Sequence, residues 1–290
     1  MILEGKTLAK QIRAPLQERA ENVRKQLGRP ICLCALGSSE DYAARLYLHK
    51  ETYAAQKIGI ETHIFDIDNH TPADGFCQAV KTLAMHPQTD AVLIPRPLPE
   101  QLADSDFADY LNPRQDIDGM SVANAGRLFL CKTWQQIEKL PGFVPCTAMA
   151  VMRLLDFHHI DLAGKEAVVI GRSSTVGRPL AHLLSCKNAT VKLCHSHTDL
   201  PRAVKDADII CSAAGTPDLL KTAWLKKGAL VIDISTNWNN NTLCGDANGQ
   251  ELEAAGISYS PVPGGVGPVT LAVLLENIVL SGERKIKEKL

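Results

Sequence analysis

The sequence predicts an α/β protein with two domains, an N-terminal domain built on a parallel sheet and a second, Rossmann-like domain. Apolar segments of strand length alternate with segments of helical periodicity between residues 31 and 94, an order typical of a parallel sheet covered by helices. A second series starts at residues 168–170, where an apolar run ends in Gly171 and a helical pattern resumes at Gly177. The 290 residues are enough for about two domains with separate cores.

Each element follows from its hydrophobic spacing and from the turn residues at its ends. The predicted helices cover 6–26, 43–56, 73–85, 102–111, 133–139, 145–155, 180–184 and 270–280. The predicted strands cover 31–36, 60–65, 91–94, 168–170, 190–194, 209–211 and 230–233. The rest of the stretch from 113 to 146 looks irregular, and residues 283–289 are predicted to be a solvated tail.

The predicted domain boundaries assign residues 1–120 to the first domain, which the C-terminal helix over 267–290 joins, and residues 121–266 to the second domain. Two α/β domains connected by helices leave a cleft between them. Such a cleft is the usual place for a cofactor to meet its substrate.

Composition and charge exclude several classes of function. The formal net charge of −1 gives no electrostatic footprint for nucleic acid or an anionic membrane. The N-terminus lacks the pattern of a signal peptide, and no apolar run approaches the roughly 18 residues that span a bilayer. The nine cysteines contain no C-x-x-C pair, and no cluster has metal-ligand spacing, so we expect no metal and a reducing, cytoplasmic location.

The turn from Gly171 to Gly177 is the candidate cofactor site. A strand, a glycine turn and a helix place the pyrophosphate of a dinucleotide at a helix N-terminus, where backbone N–H groups and the helix dipole attract anionic oxygens. The turn departs from the usual G-x-G-x-x-G pattern, because Ser173 replaces the second glycine and Gly177 comes one residue late. A doubly wound domain with a merely tight turn therefore stays an alternative.

The end of the strand at 190–194 favours NADP over NAD. In NAD-binding domains a carboxylate about 20 residues after the first glycine holds the ribose 2′-hydroxyl. No Asp or Glu occurs there; the strand runs into His195 and Ser196, and Arg172 lies in the glycine turn. An arginine and a hydroxyl without a carboxylate suit a 2′-phosphate.

Several segments, in order along nearly the whole chain, together resemble the methylenetetrahydrofolate dehydrogenase/methenyltetrahydrofolate cyclohydrolase family. The segment from Pro261 to Thr270 is the most specific of them. The matching segments are Asp116-Ile117-Asp118-Gly119, Asn124-Ala125-Gly126-Arg127-Leu128, Pro145-Cys146-Thr147, Gly171-Arg172-Ser173 with Val176-Gly177-Arg178-Pro179, Val231-Ile232-Asp233, Gly245-Asp246 and Pro261-Val262-Pro263-Gly264-Gly265-Val266-Gly267-Pro268-Val269-Thr270.

The resemblance implies a cytoplasmic, usually homodimeric enzyme of one-carbon metabolism. It implies oxidation of 5,10-methylenetetrahydrofolate with NADP, which many members follow with hydrolysis of the methenyl product to 10-formyltetrahydrofolate. It also implies that folate lies in the cleft between the domains. Small-molecule folate is then the expected partner, with neither nucleic acid nor membrane.

The resemblance also assigns roles to particular residues. Tyr47 would stack on the pterin, and Asp118 would accept hydrogen bonds from the pterin's amino and ring N–H groups. The loop at Gly264 and Gly265, with Pro268, would close over folate. The implied cofactor contacts are Gly171, Arg172, Ser173, Val176, Gly177, His195, Ser196, Gly215 and Thr236. From the residues alone, Tyr47 could equally be a core aromatic, Asp118 a turn residue and the glycine pair a tight turn.

Two positions depart from the family pattern. The catalytic lysine stands four residues after the tyrosine in the family, and here that position is Glu51, with Lys50 beside it. Pro95 replaces the glutamine that hydrogen-bonds the lysine, and the segment 37–42 is two residues longer than usual. We therefore expect dehydrogenase activity, with cyclohydrolase activity impaired or absent.

Four alternatives stay open at this level. Glu51 could serve as a new general base, or the long Lys50 side chain could reach the site. The chain could be a catalytically weak folate- and NADP-binding paralogue with a regulatory role. It could also be a reductase for another small substrate.

Overall fold

The structure is a computed structural model that describes residues 1–38, 42–67, 70–239 and 242–287. Its elements, in chain order, are α1 (Lys6–Arg13), α2 (Leu16–Leu27), β1 (Cys32–Ser38), α3 (Tyr42–Gln56), β2 (Glu61–Ile67), α4 (Ala73–Met85), β3 (Ala91–Leu93), α5 (Phe107–Tyr110), α6 (Val122–Leu130), α7 (Trp134–Glu138), α8 (Cys146–Phe157), β4 (Glu166–Ile170), α9 (Gly177–Cys186), β5 (Thr190–Cys194), α10 (Leu200–Val204), β6 (Ile209–Ser212), β7 (Leu230–Asp233), β8 (Asn237–Asn239), β9 (Thr242–Cys244), α11 (Gly249–Ala254), β10 (Ser258–Ser260) and α12 (Val266–Lys287).

The chain divides into two compact units. The five-stranded unit comprises Met1–Gln11, Leu128–Leu140 and Pro145–Val273. The three-stranded unit comprises Ile12–Arg127, Pro141–Val144 and the chain from Leu274 onward. The three-stranded and the five-stranded sheets are parallel, which confirms the predicted α/β fold class. The short strands β8 and β9 form a separate antiparallel pair.

The three-stranded sheet has the order β2-β1-β3 and is covered by a dense apolar cluster. Phe76 on α4 is fully buried, and its ring lies 5.6 Å from that of Phe107 on α5. Ile94 and Leu102 pack into the same cluster. Because Ile94 follows β3 directly, this packing fixes the point at which the chain leaves the sheet.

The C-terminal helix α12 is a core helix. Its length and composition alone would allow a membrane span, but 61% of its most apolar window is buried. In the three-stranded unit Asn277 donates to the Ile117 carbonyl over 2.8 Å, and Lys285 pairs with the buried Asp90 at 2.6 Å. Arg29 also pairs with Asp90, so one buried carboxylate joins the helix to the start of β1.

The five-stranded sheet has the order β10-β7-β6-β4-β5. β4 comes first in the chain, its successor β5 lies on one side of it, and the later strands lie on the other side. The strand order therefore reverses between β4 and β6. In open parallel sheets a ligand crevice forms at such a reversal, outside the carboxyl ends of the strands.

The first residues of the chain belong to the five-stranded unit. Ile2 forms a parallel bridge with Tyr259 on β10, and the Leu3 N–H donates to the Tyr259 carbonyl over 2.8 Å. Leu3 is fully buried there. This compact division differs at the N-terminus from the predicted 1–120 and 121–266, whose boundaries as functional domains stay a prediction.

Several predicted elements differ from the observed ones for local reasons. The helix predicted over 6–26 is broken into α1 and α2, because Pro15 disfavours helical geometry in the residue before it. The helix predicted over 102–111 is a 3₁₀ turn at Glu100–Leu102 followed by α5.

The prediction also differs from the structure at α6 and at the C-terminal end of α12. The helix α6 was not predicted, because Asn124 and Gly126 lower helix propensity in this stretch. The start of α6 is held instead by Asp116, which accepts from the N–H groups of Met120 and Ser121. The predicted solvated tail is largely the end of α12, where Glu283 pairs with Arg19 at 2.8 Å.

Candidate active site

The turn after β4 brings three stretches of backbone into close contact. Gly171 has a φ of 110°, and a Cβ there would collide with the Ala213 carbonyl oxygen. A Cβ at Gly177 would collide with the carbonyl oxygen of Gly171. Both positions therefore require glycine, and the backbone of the turn is bare enough for a ligand to approach it closely.

Ser173 organises the start of α9. Its hydroxyl accepts from the Val176 N–H at 3.1 Å and from the Gly177 N–H at 3.4 Å. The Ser173 carbonyl accepts from the Arg178 N–H at 3.0 Å. Serine at the position of the second glycine thus caps the helix, and Arg172 beside it is exposed.

The turn after β5 lies at the same sheet edge. The Gly171 N–H donates to the Cys194 carbonyl over 3.1 Å, so the ends of β4 and β5 are tied together. His195 accepts at Nδ1 from the His197 N–H over 3.2 Å, which places the proton of the neutral ring on Nε2. Ser196 is exposed between them.

Gly215 and Thr236 follow β6 and β7 at the carboxyl edge of the same sheet. Gly215 has a φ of 70°, and its N–H donates to the Ser235 hydroxyl over 3.0 Å. The neighbouring Thr236 is exposed. The predicted cofactor residues thus belong to one unit and follow strands β4, β5, β6 and β7.

The proline-glycine loop after β10 is held at both ends of its turn. Gly264 has a φ of 114°, and the Gly265 N–H donates to the Pro261 carbonyl over 2.7 Å. The Gly5 N–H donates to the Gly264 carbonyl over 2.9 Å. Gly264 and Gly265 are buried, and Pro268 lies in the first turn of α12.

On the three-stranded unit, α3 presents the predicted catalytic residues. Tyr47 and Glu51 lie one turn apart on one face of the helix, and 42% of Tyr47 is exposed. The Lys50 ammonium lies 5.8 Å from the centroid of the Tyr47 ring. The lengthened segment noted before α3 includes residues 39–41, which lie outside the described chain.

Glu51 has the most perturbed acidity of this group. Burial and, secondly, the negative charge of Asp118 raise the pKa of Glu51 to about 8, against a smaller opposing effect of Lys50. Burial, followed by the charge of Glu51, also raises the pKa of Tyr47. Tyr47, Lys50, Glu51 and Asp118 are therefore close enough to interact electrostatically.

Backbone pairing explains how Asp118 reaches α3 and the end of β3. Val92 bridges to Asp116 in parallel, and the Val92 N–H donates to the Gln115 carbonyl over 2.7 Å. Asp118 follows two residues later, before Gly119 with a φ of 64°. Pro95 comes two residues after the end of β3, and Asp118 comes two residues after the residue that bridges to β3.

Arg96 belongs to this cluster and was missed by the sequence analysis. Its guanidinium carbon lies 4.9 Å from the centroid of the Phe107 ring, and its charge interacts with Asp118. The available signal in the sequence was a cationic residue inside the proline-rich segment 95–99, which directly follows a predicted strand. The site therefore contains one aromatic ring, two acidic side chains and two cations: Tyr47, Glu51, Asp118, Lys50 and Arg96.

A doubly wound parallel sheet with a glycine turn at its reversal defines a dinucleotide-binding α/β protein, and the cluster on α3 supplies a second, polar site. The chain belongs to the tetrahydrofolate dehydrogenase/cyclohydrolase family. The model of the family's catalytic domain matches residues 3–118, and that of its NAD(P)-binding domain matches residues 145–286. The family predicted from the sequence is confirmed.

Three relatives illustrate the similarity. The bifunctional protein FolD of Elusimicrobium minutum is 49% identical over 288 residues, which cover 99% of this chain and 100% of that protein. The crystal structure of the FolD methylenetetrahydrofolate dehydrogenase/cyclohydrolase of Campylobacter jejuni is 32% identical with a TM-score of 0.89, covering 98% of this chain and 99% of that one. The Trypanosoma brucei dehydrogenase-cyclohydrolase, crystallised with NADP and an inhibitor, is 30% identical with a TM-score of 0.88, covering 99% and 98%.

Proposed function

We propose that the protein oxidises 5,10-methylenetetrahydrofolate to 5,10-methenyltetrahydrofolate with NADP. The observation that carries this proposal is family membership over nearly the whole chain together with an intact dinucleotide turn. The three-stranded unit binds folate through Tyr47 and Asp118, and the five-stranded unit binds NADP. Gly264, Gly265 and Pro268 complete the folate contacts.

The chemistry of this step demands little of the side chains. Bound NADP supplies the hydride acceptor. Loss of hydride from the methylene carbon leaves a cation that two flanking nitrogens stabilise, so no proton has to move. The exposed ring of Tyr47 offers a flat surface to the pterin, and the Asp118 carboxylate can accept two adjacent N–H donors at once. Positioning is what these residues contribute.

Arg172 and Ser196 give the preference for NADP. Both are exposed at the edge where β4 and β5 end, and a 2′-phosphate placed there gains an arginine and a hydroxyl. We expect Arg172→Ala to raise KM for NADP about tenfold and to leave KM for NAD within twofold. Arg202→Ala, an exposed arginine on α10, is the matched control and should change neither. An equal rise in KM for NADP and for NAD would contradict the assignment of Arg172 to the 2′-phosphate.

Cyclohydrolase activity is impaired in this protein. Hydrolysis of the methenyl cation needs water attack and proton transfers, and Glu51 with a pKa of about 8 is mostly protonated at neutral pH. It therefore accepts no proton there, and Pro95 offers no side-chain hydrogen bond. A general-base role for Glu51 would instead give hydrolysis that rises above about pH 8.

A double variant tests this assignment. Glu51→Lys with Pro95→Gln should raise methenyltetrahydrofolate hydrolysis by roughly 10²-fold or more, the usual contribution of a positioned proton-transfer group. Glu18→Lys, an exposed glutamate on α2, controls for the added charge. Unchanged hydrolysis in the double variant, or fast hydrolysis by the unmodified protein, would refute the assignment.

Absorbance of the methenyl product in the presence of NADP tests the dehydrogenase itself. Absence of product from protein that binds both ligands in calorimetry would favour a regulatory paralogue. Tight NADP binding without folate binding would favour a reductase for another small substrate.

We also propose a cytoplasmic homodimer without nucleic-acid or membrane partners. None of the nine cysteines forms a disulfide bond, which suits a reducing compartment. Sedimentation equilibrium should give twice the 31.5 kDa mass of the chain. A single-chain mass at micromolar concentration would contradict the dimer.

A further inference from the structure

We infer that Asp246 is a positioning residue for the cofactor, because its carboxylate joins the two loops that carry Gly215 and Thr236. This inference rests on the proposed NADP binding. Asp246 lies after β9 and is fully buried. The loops in question, 213–216 and 234–237, follow β6 and β7 at the carboxyl edge of the five-stranded sheet.

The Asp246 carboxylate accepts from the first loop at both oxygens. Its Oδ2 accepts from the Ala214 N–H at 2.9 Å and from the Ser212 hydroxyl, where β6 ends, at 2.7 Å. Its Oδ1 accepts from the Thr216 N–H at 2.9 Å. A buried carboxylate that faces several donors is well solvated by them and holds them in one arrangement.

The same two oxygens also hold the second loop. The Ser235 hydroxyl donates to Oδ2 over 2.8 Å, and the Asn237 amide donates to Oδ1 over 3.1 Å. The Ser235 oxygen in turn accepts from the Gly215 N–H at 3.0 Å. Asp246 and Ser235 together therefore fix the distance between the loops after β6 and β7.

These bonds decide what the first loop can offer a ligand. The N–H groups of Ala214, Gly215 and Thr216 all donate to Asp246 or Ser235. Successive N–H groups can form an anion-binding nest for a phosphate, but here they are already bonded within the protein. The loop can then offer acceptors, which suit the hydroxyl and amide groups of the nucleotide. The phosphates are left to the turn at Gly171 to Gly177.

Asp246 is itself held from the end of β7. Its N–H donates to Asp233 Oδ1 over 3.1 Å, and the Ala247 N–H donates to Asp233 Oδ2 over 2.9 Å. A Cβ at Gly245 would collide with the Asp233 carboxylate, so glycine lets the chain pass close to it. The position of Asp246 is thus set by the sheet before any cofactor binds.

Asp246→Asn tests the inference with little change in size. The substitution turns one acceptor into a donor that faces other donors, so the loops must shift apart. We expect the Kd for NADP, measured by calorimetry without folate, to rise about tenfold or more, and the Kd for NAD to rise by the same factor. The KM for NADP should rise by a similar factor, whereas the KM for folate should stay within twofold.

Asp116→Asn is the matched control. Asp116 is also buried and accepts from two N–H groups and the Asn124 amide, but it belongs to the three-stranded unit. Its substitution should lower the melting temperature and leave the Kd for NADP unchanged. Ser235→Ala, which leaves the Gly215 N–H without its acceptor, should weaken NADP binding about threefold to tenfold.

The outcomes separate the inference from the proposed function. A melting temperature lowered by Asp246→Asn with an unchanged Kd for NADP would overturn the inference and make Asp246 purely structural. Should that variant not fold, an unchanged Kd in Ser235→Ala would overturn it in the same way. Unmodified protein that binds no NADP would overturn the proposed function instead.

Discussion

Glu51 should make the stability of this protein fall as pH rises, and Glu51→Gln should remove that dependence. In the folded protein the pKa of Glu51 is raised from 4.5 to about 8 by burial and by Asp118. Between these two values the unfolded chain has lost the proton and the folded protein keeps it. The stability that this proton contributes is therefore complete below about pH 4.5 and is lost as pH rises through about 8.

The size of the effect follows from the size of the shift. Each pKa unit corresponds to about 1.4 kcal/mol, so the whole shift corresponds to roughly 5 kcal/mol. Glu51 is partly exposed, and water reaching the carboxylate reduces this to about 2–3 kcal/mol. Glutamine cannot ionise, so the variant should gain that much over the unmodified protein between about pH 5 and pH 9.

Urea unfolding of both proteins across this pH range measures the difference directly. The charges of Asp118 and Lys50 shift the pKa of Glu51 in opposite directions. In an Asp118→Asn background, the stability difference that Glu51→Gln produces should therefore reach its full size at a lower pH. In a Lys50→Gln background it should reach its full size at a higher pH. Glu18→Gln controls for the loss of an exposed glutamate. A difference between Glu51→Gln and the unmodified protein that stays constant from about pH 5 to pH 9 would refute the reasoning.

Three further substitutions test the packing described above. Gly177→Ala should weaken NADP binding by roughly tenfold or more in calorimetry, since its Cβ would meet backbone, whereas Gly126→Ala has no atom within 4 Å and should not. Asp90→Asn should lower the free energy of unfolding by about 2–4 kcal/mol in denaturant titration, because two cations lose a buried partner. Phe76→Ala should lower it by about 3–5 kcal/mol, and a loss below about 1 kcal/mol would contradict its central place in the core.

The fold was largely predictable because strand and helix periods alternate strictly in this chain. The helix over Ala73–Met85 has the predicted bounds, and the predicted strands near residues 31, 60 and 91 lie within two residues of β1, β2 and β3. The misses occur where a single side chain, such as Pro15 or Asp116, decides where a helix begins or ends. The helix α6 contains poor helix formers, and its start depends on Asp116, whose carboxylate comes from several residues earlier.

The site was predictable only in part, for a related reason. The spacing of Gly171 and Gly177 predicts the turn, because close backbone contacts require glycine at these positions and glycine is visible in the sequence. The electrostatic environment of Glu51 is not visible in the sequence, because Asp118 is distant from it along the chain. Asp118 is brought to the end of β3 by the pairing of Val92 with Asp116. The role of Asp246 is hidden likewise, since its partners come from two segments, the ends of β6 and β7 with the loops that follow them.

The close approach of Gly171, Gly177 and Ala213 has a consequence for redesigning cofactor preference. A Cβ at Gly171 or at Gly177 would collide with the backbone opposite it, so these backbones form a frame with no room for a side chain at either glycine. Arg172 and Ser196 stand outside that frame and are exposed. With the cofactor site proposed above, exchange of those two residues for acidic or neutral ones should favour NAD, while the backbone frame of the turn keeps its shape.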